Sequence, residues 1–159
     1  MANYTATNGS TASAGTQQAT ATAYVGALLG ITTLTTLRRG KIYDLLVGTN
    51  GTPADNYMTW DISRQTAAGT ATSVTPNALN PADAAFLGLS TANSTIEPTV
   101  TANSSVFFVG VNQRASYRWV AAPGSEFVYP ATTANGFALR VLSGSYTGTA
   151  TGQLWVTEI

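Results

Sequence analysis

From residue 38 onward the sequence is a succession of short apolar runs with a period of two, each cut off by turn-forming residues. In YMTWDISR, residues 57–64, Met58, Trp60 and Ile62 fall on one side and Thr59, Asp61 and Ser63 on the other. That alternation is the pattern of a strand with one face against a core. Further runs at 41–48, 70–75, 105–113 and through the last third of the chain are separated by Asn50-Gly51, Pro53-Ala54-Asp55, Pro123-Gly124 and Asn135-Gly136. Turn signals about every 8–12 residues predict an all-β fold, an antiparallel β-sandwich of the jelly-roll-like kind with eight or nine strands. One segment departs from the pattern. Residues 80–88, NPADAAFLG, predict a short helix with Asn80 as N-cap, Pro81 in the first turn and Gly88 as the stop. The run 95–101 contains Pro98, which predicts an edge or bulged strand.

The chain divides unequally at residue 37. Residues 1–37 carry no charged side chain and, up to Thr22, consist almost wholly of Thr, Ala, Ser, Gly, Asn and Gln. Such a run buries too little apolar surface to offset its own ordering entropy. The expectation is an extended N-terminal arm (1–37) that orders against a neighbour through Tyr24, Leu28, Leu29 and Ile31, followed by a β-sandwich domain (38–159). The window 23–34 is the most apolar of the chain but is broken by glycine and threonine and is shorter than the 20 or so residues of a bilayer span, so no membrane role is expected.

Charge is scarce. Only 9% of residues are charged, seven basic and seven acidic, against about 25% in an average soluble domain. A balanced charge gives no electrostatic footprint for nucleic acid. The absence of cysteine removes disulfide and thiolate chemistry, and the absence of histidine removes the usual base and the commonest metal ligand. The carboxylates show no close pair and no calcium-loop spacing. The reading is therefore of a non-enzyme without metal or cofactor, whose uncharged surface suits life docked against other chains. Trp60, Trp119 and Trp155 lie in alternating runs and read as core. Exposed, they would suit the alternative of a carbohydrate- or receptor-binding sandwich.

In this setting NQRASYRWVAAPGSEFVYP, residues 112–130, stands out because it holds Arg114, Arg118 and Glu126. Read as a strand over 113–121, it places Tyr117 and Trp119 on a core face and Arg114 and Arg118 on an outer face. The preceding run, SSVFFVGVNQ, is apolar on both sides, which predicts cover on both faces, one of them by another subunit. The outer arginines, with Arg64, are then interface residues, and Glu126 is the nearest candidate partner for them.

RRGKIYDLLVG, TPADN, RQTAAGTATSVTPNALNPAD and NQRASYRWVAAPGSEFVYPATTANG together resemble segments of the capsid decoration (cement) proteins and related head proteins of tailed bacteriophages. The resemblance spans 38–159. It implies a jelly-roll-like sandwich, a homotrimer, a place on the exterior of the virion, and the major capsid protein as partner. It implies no catalysis.

Overall fold

A computed structural model describes residues 1–9, 18–20, 25–32, 38–142 and 148–159. Side chains at 18–20, 25–29 and 32 are outside that description. The described residues form thirteen strands and no helix. They are β1 (Asn3–Thr7), β2 (Gln18–Thr20), β3 (Val25–Thr32), β4 (Gly40–Gly51), β5 (Tyr57–Ala67), β6 (Thr70–Val74), β7 (Asn77–Ala78), β8 (Leu89–Ile96), β9 (Thr99–Asn112), β10 (Tyr117–Val120), β11 (Phe127–Tyr129), β12 (Gly136–Leu142) and β13 (Gly148–Glu158). They make two antiparallel sheets. Sheet A runs β10-β4-β13-β1-β7, with β11 also on β4 and β2 also on β13; sheet B runs β6-β8-β3-β12-β5-β9. The all-β sandwich expected from the alternation is what forms. With seven and six strands, the sheets are larger than the two four-stranded halves of an eight-stranded jelly roll.

The inner faces meet in one core. Sheet A supplies Tyr4, Ile42, Leu45, Val47, Leu154 and Val156; sheet B supplies Ile31, Met58, Trp60, Ile62, Leu139 and Val141. Ile42 and Leu45 are three residues apart, a spacing that period two would send to opposite faces. A bulge resolves this, because Trp155 pairs with Asp44 while Val156 pairs with Ile42, leaving Tyr43 as the extra residue. Both aliphatic side chains then point inward and Asp44 points out.

The described parts of the segment read as an arm are strands of the two sheets. β1 lies between β13 and β7, and β3 lies between β12 and β8. Tyr4 and Ala6 are buried, and Tyr4 donates to the carbonyl of Ala84 at 2.9 Å while meeting Phe86 edge-on. Asn8, also buried, accepts from the Gly152 amide at 2.9 Å and donates to Ala150 O at 2.9 Å and to Asn93 Oδ1 at 3.2 Å. Asn93, held at a φ of 53°, donates back to Asn8 O at 3.0 Å. This satisfied amide pair ties sheet A to β8 of sheet B. The physical reason the composition misled is that threonine is a strand former as well as a loop residue. In NYTAT the threonines sit between inward Tyr4 and Ala6.

Two further expectations change. Residues 80–88 form a turn, not a helix: Asn80 Oδ1 accepts from the Ala82 amide and Asn80 O from the Asp83 amide, an Asx arrangement that uses the same residues as an N-cap. The loop is then held by Glu158, whose carboxylate accepts from the Leu87 and Gly88 amides at 3.0 and 2.9 Å. Residues 95–101 are not one strand. Glu97 and Pro98 lie between the end of β8 and the start of β9, because proline cannot donate to a ladder.

The face of β5 opposite the core, carrying Thr59, Asp61 and Ser63, is buried as well. Asp61 is 1% exposed. Its carboxylate accepts from Arg140 of β12 at 2.7 and 2.9 Å, from Ser63 at 2.8 Å and from Ser105 of β9 at 2.5 Å. Truncating Arg140 leaves a buried charge without its counter-ion, a change that costs about 3–5 kcal/mol in comparable sites. Arg140→Met should therefore lower the unfolding free energy by about 3 kcal/mol in urea denaturation, and an effect near zero would contradict the pairing.

Tyr129 is buried with no partner for its hydroxyl, packed where any side chain at Gly40 would overlap it. Burial, then the charge of Glu158, pushes its pKa far above the tyrosine range. A raised folded-state pKa means that stability is intact below about pH 10 and declines as the unfolded chain ionises above it. Tyr129→Phe should flatten that alkaline decline in thermal melts and gain about 1 kcal/mol by removing an unsatisfied group.

Candidate functional site

Sheet register assembles the outer face of sheet A in two cross-strand rows. Val120, Asp44 and Trp155 are neighbours in one, and Arg118, Leu46 and Gln153 in the next. Directly paired residues share a face, so these six side chains form one patch. Asp44 is buried beneath it. Arg118 reaches across the row to grip it bidentately, Nε at 3.1 Å and Nη2 at 2.5 Å. The same guanidinium lies 5.5 Å from the centroid of the Trp155 ring, a cation–π contact. Arg118 itself remains 59% exposed in its side chain, and Asp44, first through the hydrogen bond and then through its charge, raises its pKa further. Leu46 and Val120 are exposed beside it. The patch presents a pinned cation framed by aliphatic and aromatic carbon.

The other expected interface residues are dispersed. Residues 113–116 form the turn between β9 and β10, in which the Ala115 amide bonds Asn112 O, so Arg114 does not share the strand face of Arg118. Arg114 makes an open surface pair with Asp55 at 3.4 Å, a geometry that contributes little. Glu126 pairs with neither arginine. It accepts from Lys41 of β4 at 2.9 Å. Ile31 is fully buried in the core and cannot serve an interface. Leu28 and Leu29 belong to β3, but their side chains, like Tyr24 altogether, lie outside the described residues. Arg64 is exposed near the end of β5 and makes no ion pair among the described residues. Sequence reading missed Asp44, Lys41 and Trp155 as members of this surface. Each lies on a strand distant in sequence, and only the β4–β13 register reveals them.

The side of the sandwich next to this patch is closed by aromatic rings. Phe107 of β9 meets Tyr117 and Trp119 of β10 at 6.0 and 6.2 Å, Trp119 stacks on Phe127 at 4.4 Å, and Phe127 reaches Phe137 of β12 at 6.1 Å. Of the tryptophans, Trp60 is in the core, Trp119 is stacked against Phe127 and Trp155 lies under Arg118. Trp60 is buried, while Trp119 and Trp155 are half-buried, each in contact with a neighbouring side chain.

Beyond the seam lies β9, the last strand of sheet B. It pairs with β5 on one side and, among the described residues, with no strand on the other. Its lower half is irregular, with register shifts opposite Ile62 to Ala67, but Phe107 to Asn112 run in unbroken register with Ile62 to Tyr57. No residue of β9 is charged and none is proline. Phe108 is 67% exposed, and a side chain at Gly110 would meet nothing. Natural edges are ordinarily blunted by charge, proline or bulges; this half has none of these.

In comparisons with known proteins the chain matches no family model, no curated protein and no solved structure.

The Lys41–Glu126 pair gives a direct check of the outer-face geometry. The Lys41 hydrogen bond, followed by the backbone amide of Glu126, holds the Glu126 carboxyl below its ordinary range. A depressed folded-state pKa supplies stability above the usual carboxylate range that is lost as pH falls through the lowered value. Carboxyl-carbon NMR titration should find Glu126 titrating below the ordinary glutamate range, and Lys41→Gln should return it upward.

Proposed function

We propose that this chain is a non-catalytic structural subunit that stabilises a larger protein shell by docking on it. The open half of β9 carries the reading. An uncharged ladder edge flanked by an exposed phenylalanine is suited to pairing with another chain, and a monomer in solution would be expected to guard it. In this reading β9 joins copies of the chain into the trimer. The Arg118–Trp155 patch, on the adjoining face, rests on the shell. Three modest contacts on one rigid oligomer add as avidity, so little charge is needed at any one of them.

The resemblance to tailed-phage decoration proteins supplies the identity of the shell. The partner would be the major capsid protein and the location the capsid exterior. The ion pairs support a structural use of the acids: Asp44, Asp55, Asp61 and Glu126 are each engaged by a cation of the same chain.

The test is a doubly charged edge. Phe108→Lys with Gly110→Lys adds two like charges where the side chains meet solvent, and should leave the thermal midpoint nearly unchanged while reducing the particle to a monomer in sedimentation velocity. Co-sedimentation with capsids should weaken in parallel. A double variant of unaltered size, or a wild-type chain that is monomeric at micromolar concentration, would remove β9 as the contact.

A further inference from the structure

A cavity of about 490 Å³ opens at the end of the sandwich where β4 begins, β11 ends and β12 begins. That volume lies within the range of small-molecule sites, about 300–1,000 Å³. Its wall combines two kinds of group. Phe137 and Val128 give it apolar surface. Arg39 and Arg64 give it charge, and among the described residues no acidic side chain lines it. Four of the seven cations of the chain, Lys41, Arg114, Arg118 and Arg140, pair with carboxylates. Arg39 and Arg64 make no such pair among the described residues. In a chain so poor in charge, two uncompensated arginines on one cavity are a concentration of positive potential.

Gln65 borders the cavity but follows Arg64 on β5, so its buried carboxamide turns to the other face of sheet B, against Gly30, and is not part of the site.

We infer that this cavity binds an organic acid, a carboxylate for Arg39 and Arg64 on an apolar or aromatic body that packs against Phe137 and Val128. The carboxylate could belong to a free acid or to a glutamate within a peptide, and the two share the same recognition chemistry. The site meets β9 at Thr101, away from its open half at Phe107–Asn112 and from the Arg118 patch, so it stands whether or not the chain assembles on a shell.

The experiment is an amide NMR titration of the whole chain with two carboxylate probes, phenylacetate and acetyl-Phe-Glu-amide, and with neutral phenylacetamide as control. At least one acid should shift Thr66, Thr101 and Phe137 saturably, and the tighter of the two identifies the source. Phenylacetamide should bind at least about tenfold more weakly than the acids. Arg64→Gln changes an exposed residue without disturbing the core, and it should weaken the acid by about tenfold or more. The inference is overturned if phenylacetamide binds as well as the acids, if Arg64→Gln binds like the wild type, or if neither acid shifts these residues up to about 10 mM.

Discussion

The fold depends on a carboxylate that has no access to water. Asp61 sits on the outer face of sheet B, and its oxygens are shared by Arg140 on one neighbouring strand, Ser105 on the other and Ser63 on its own. A buried charge has to be compensated by groups in fixed positions. Slipping β5 by one residue against either neighbour would break that set and turn the core face of the strand outward. The alignment of β12, β5 and β9 is thus specified twice, by Met58, Trp60 and Ile62 on the inside and by Asp61 on the outside. The open half of β9, Phe107 to Asn112, is paired with β5 directly beside this lock.

The same economy governs the rest of the charge. Arg118 covers Trp155 while neutralising Asp44, and Lys41 joins β4 to the segment entering β11 through Glu126. Glu158 uses its carboxylate to hold two loop amides. Charges therefore work as fasteners within the chain. Where they are absent, along β9, the protein has left backbone and hydrocarbon exposed. Where they are unanswered, at Arg39 and Arg64, it has left a cavity.

The strands from β4 onward were legible because their core faces alternate and their ends carry Asn-Gly, Pro-Gly and similar turns. β1 was not, since a strand whose outward residues are threonine looks like a low-complexity tail. Tyr4, Ala6 and Asn8 were its signature, and the alternation was too short to stand out. The turn at Asn80 was misread because an Asx turn and a helix cap use the same side-chain bond, and only the residues beyond decide between them. Of the outer face, Arg118 was legible from its strand. Its partner Asp44 was not, because a bulge at Tyr43 shifts which face of β4 each residue occupies. Glu126 was paired in expectation with the nearest arginines in sequence, whereas β11 lies across β4 and brings it to Lys41.

An association built on β9 would behave in a recognisable way. Attractions between exposed ions fade within a screening length of about 8 Å at physiological salt, but a ladder of amides and a phenylalanine side chain have no such attraction to lose. Encounter would not be steered by charge and would proceed at the ordinary unassisted rate, about 10⁵–10⁶ M⁻¹s⁻¹. Once made, the joint would be indifferent to ionic strength. A particle held together in this way could pass from dilute to concentrated brine without loosening, and would yield first to agents that compete for backbone and hydrocarbon, such as urea.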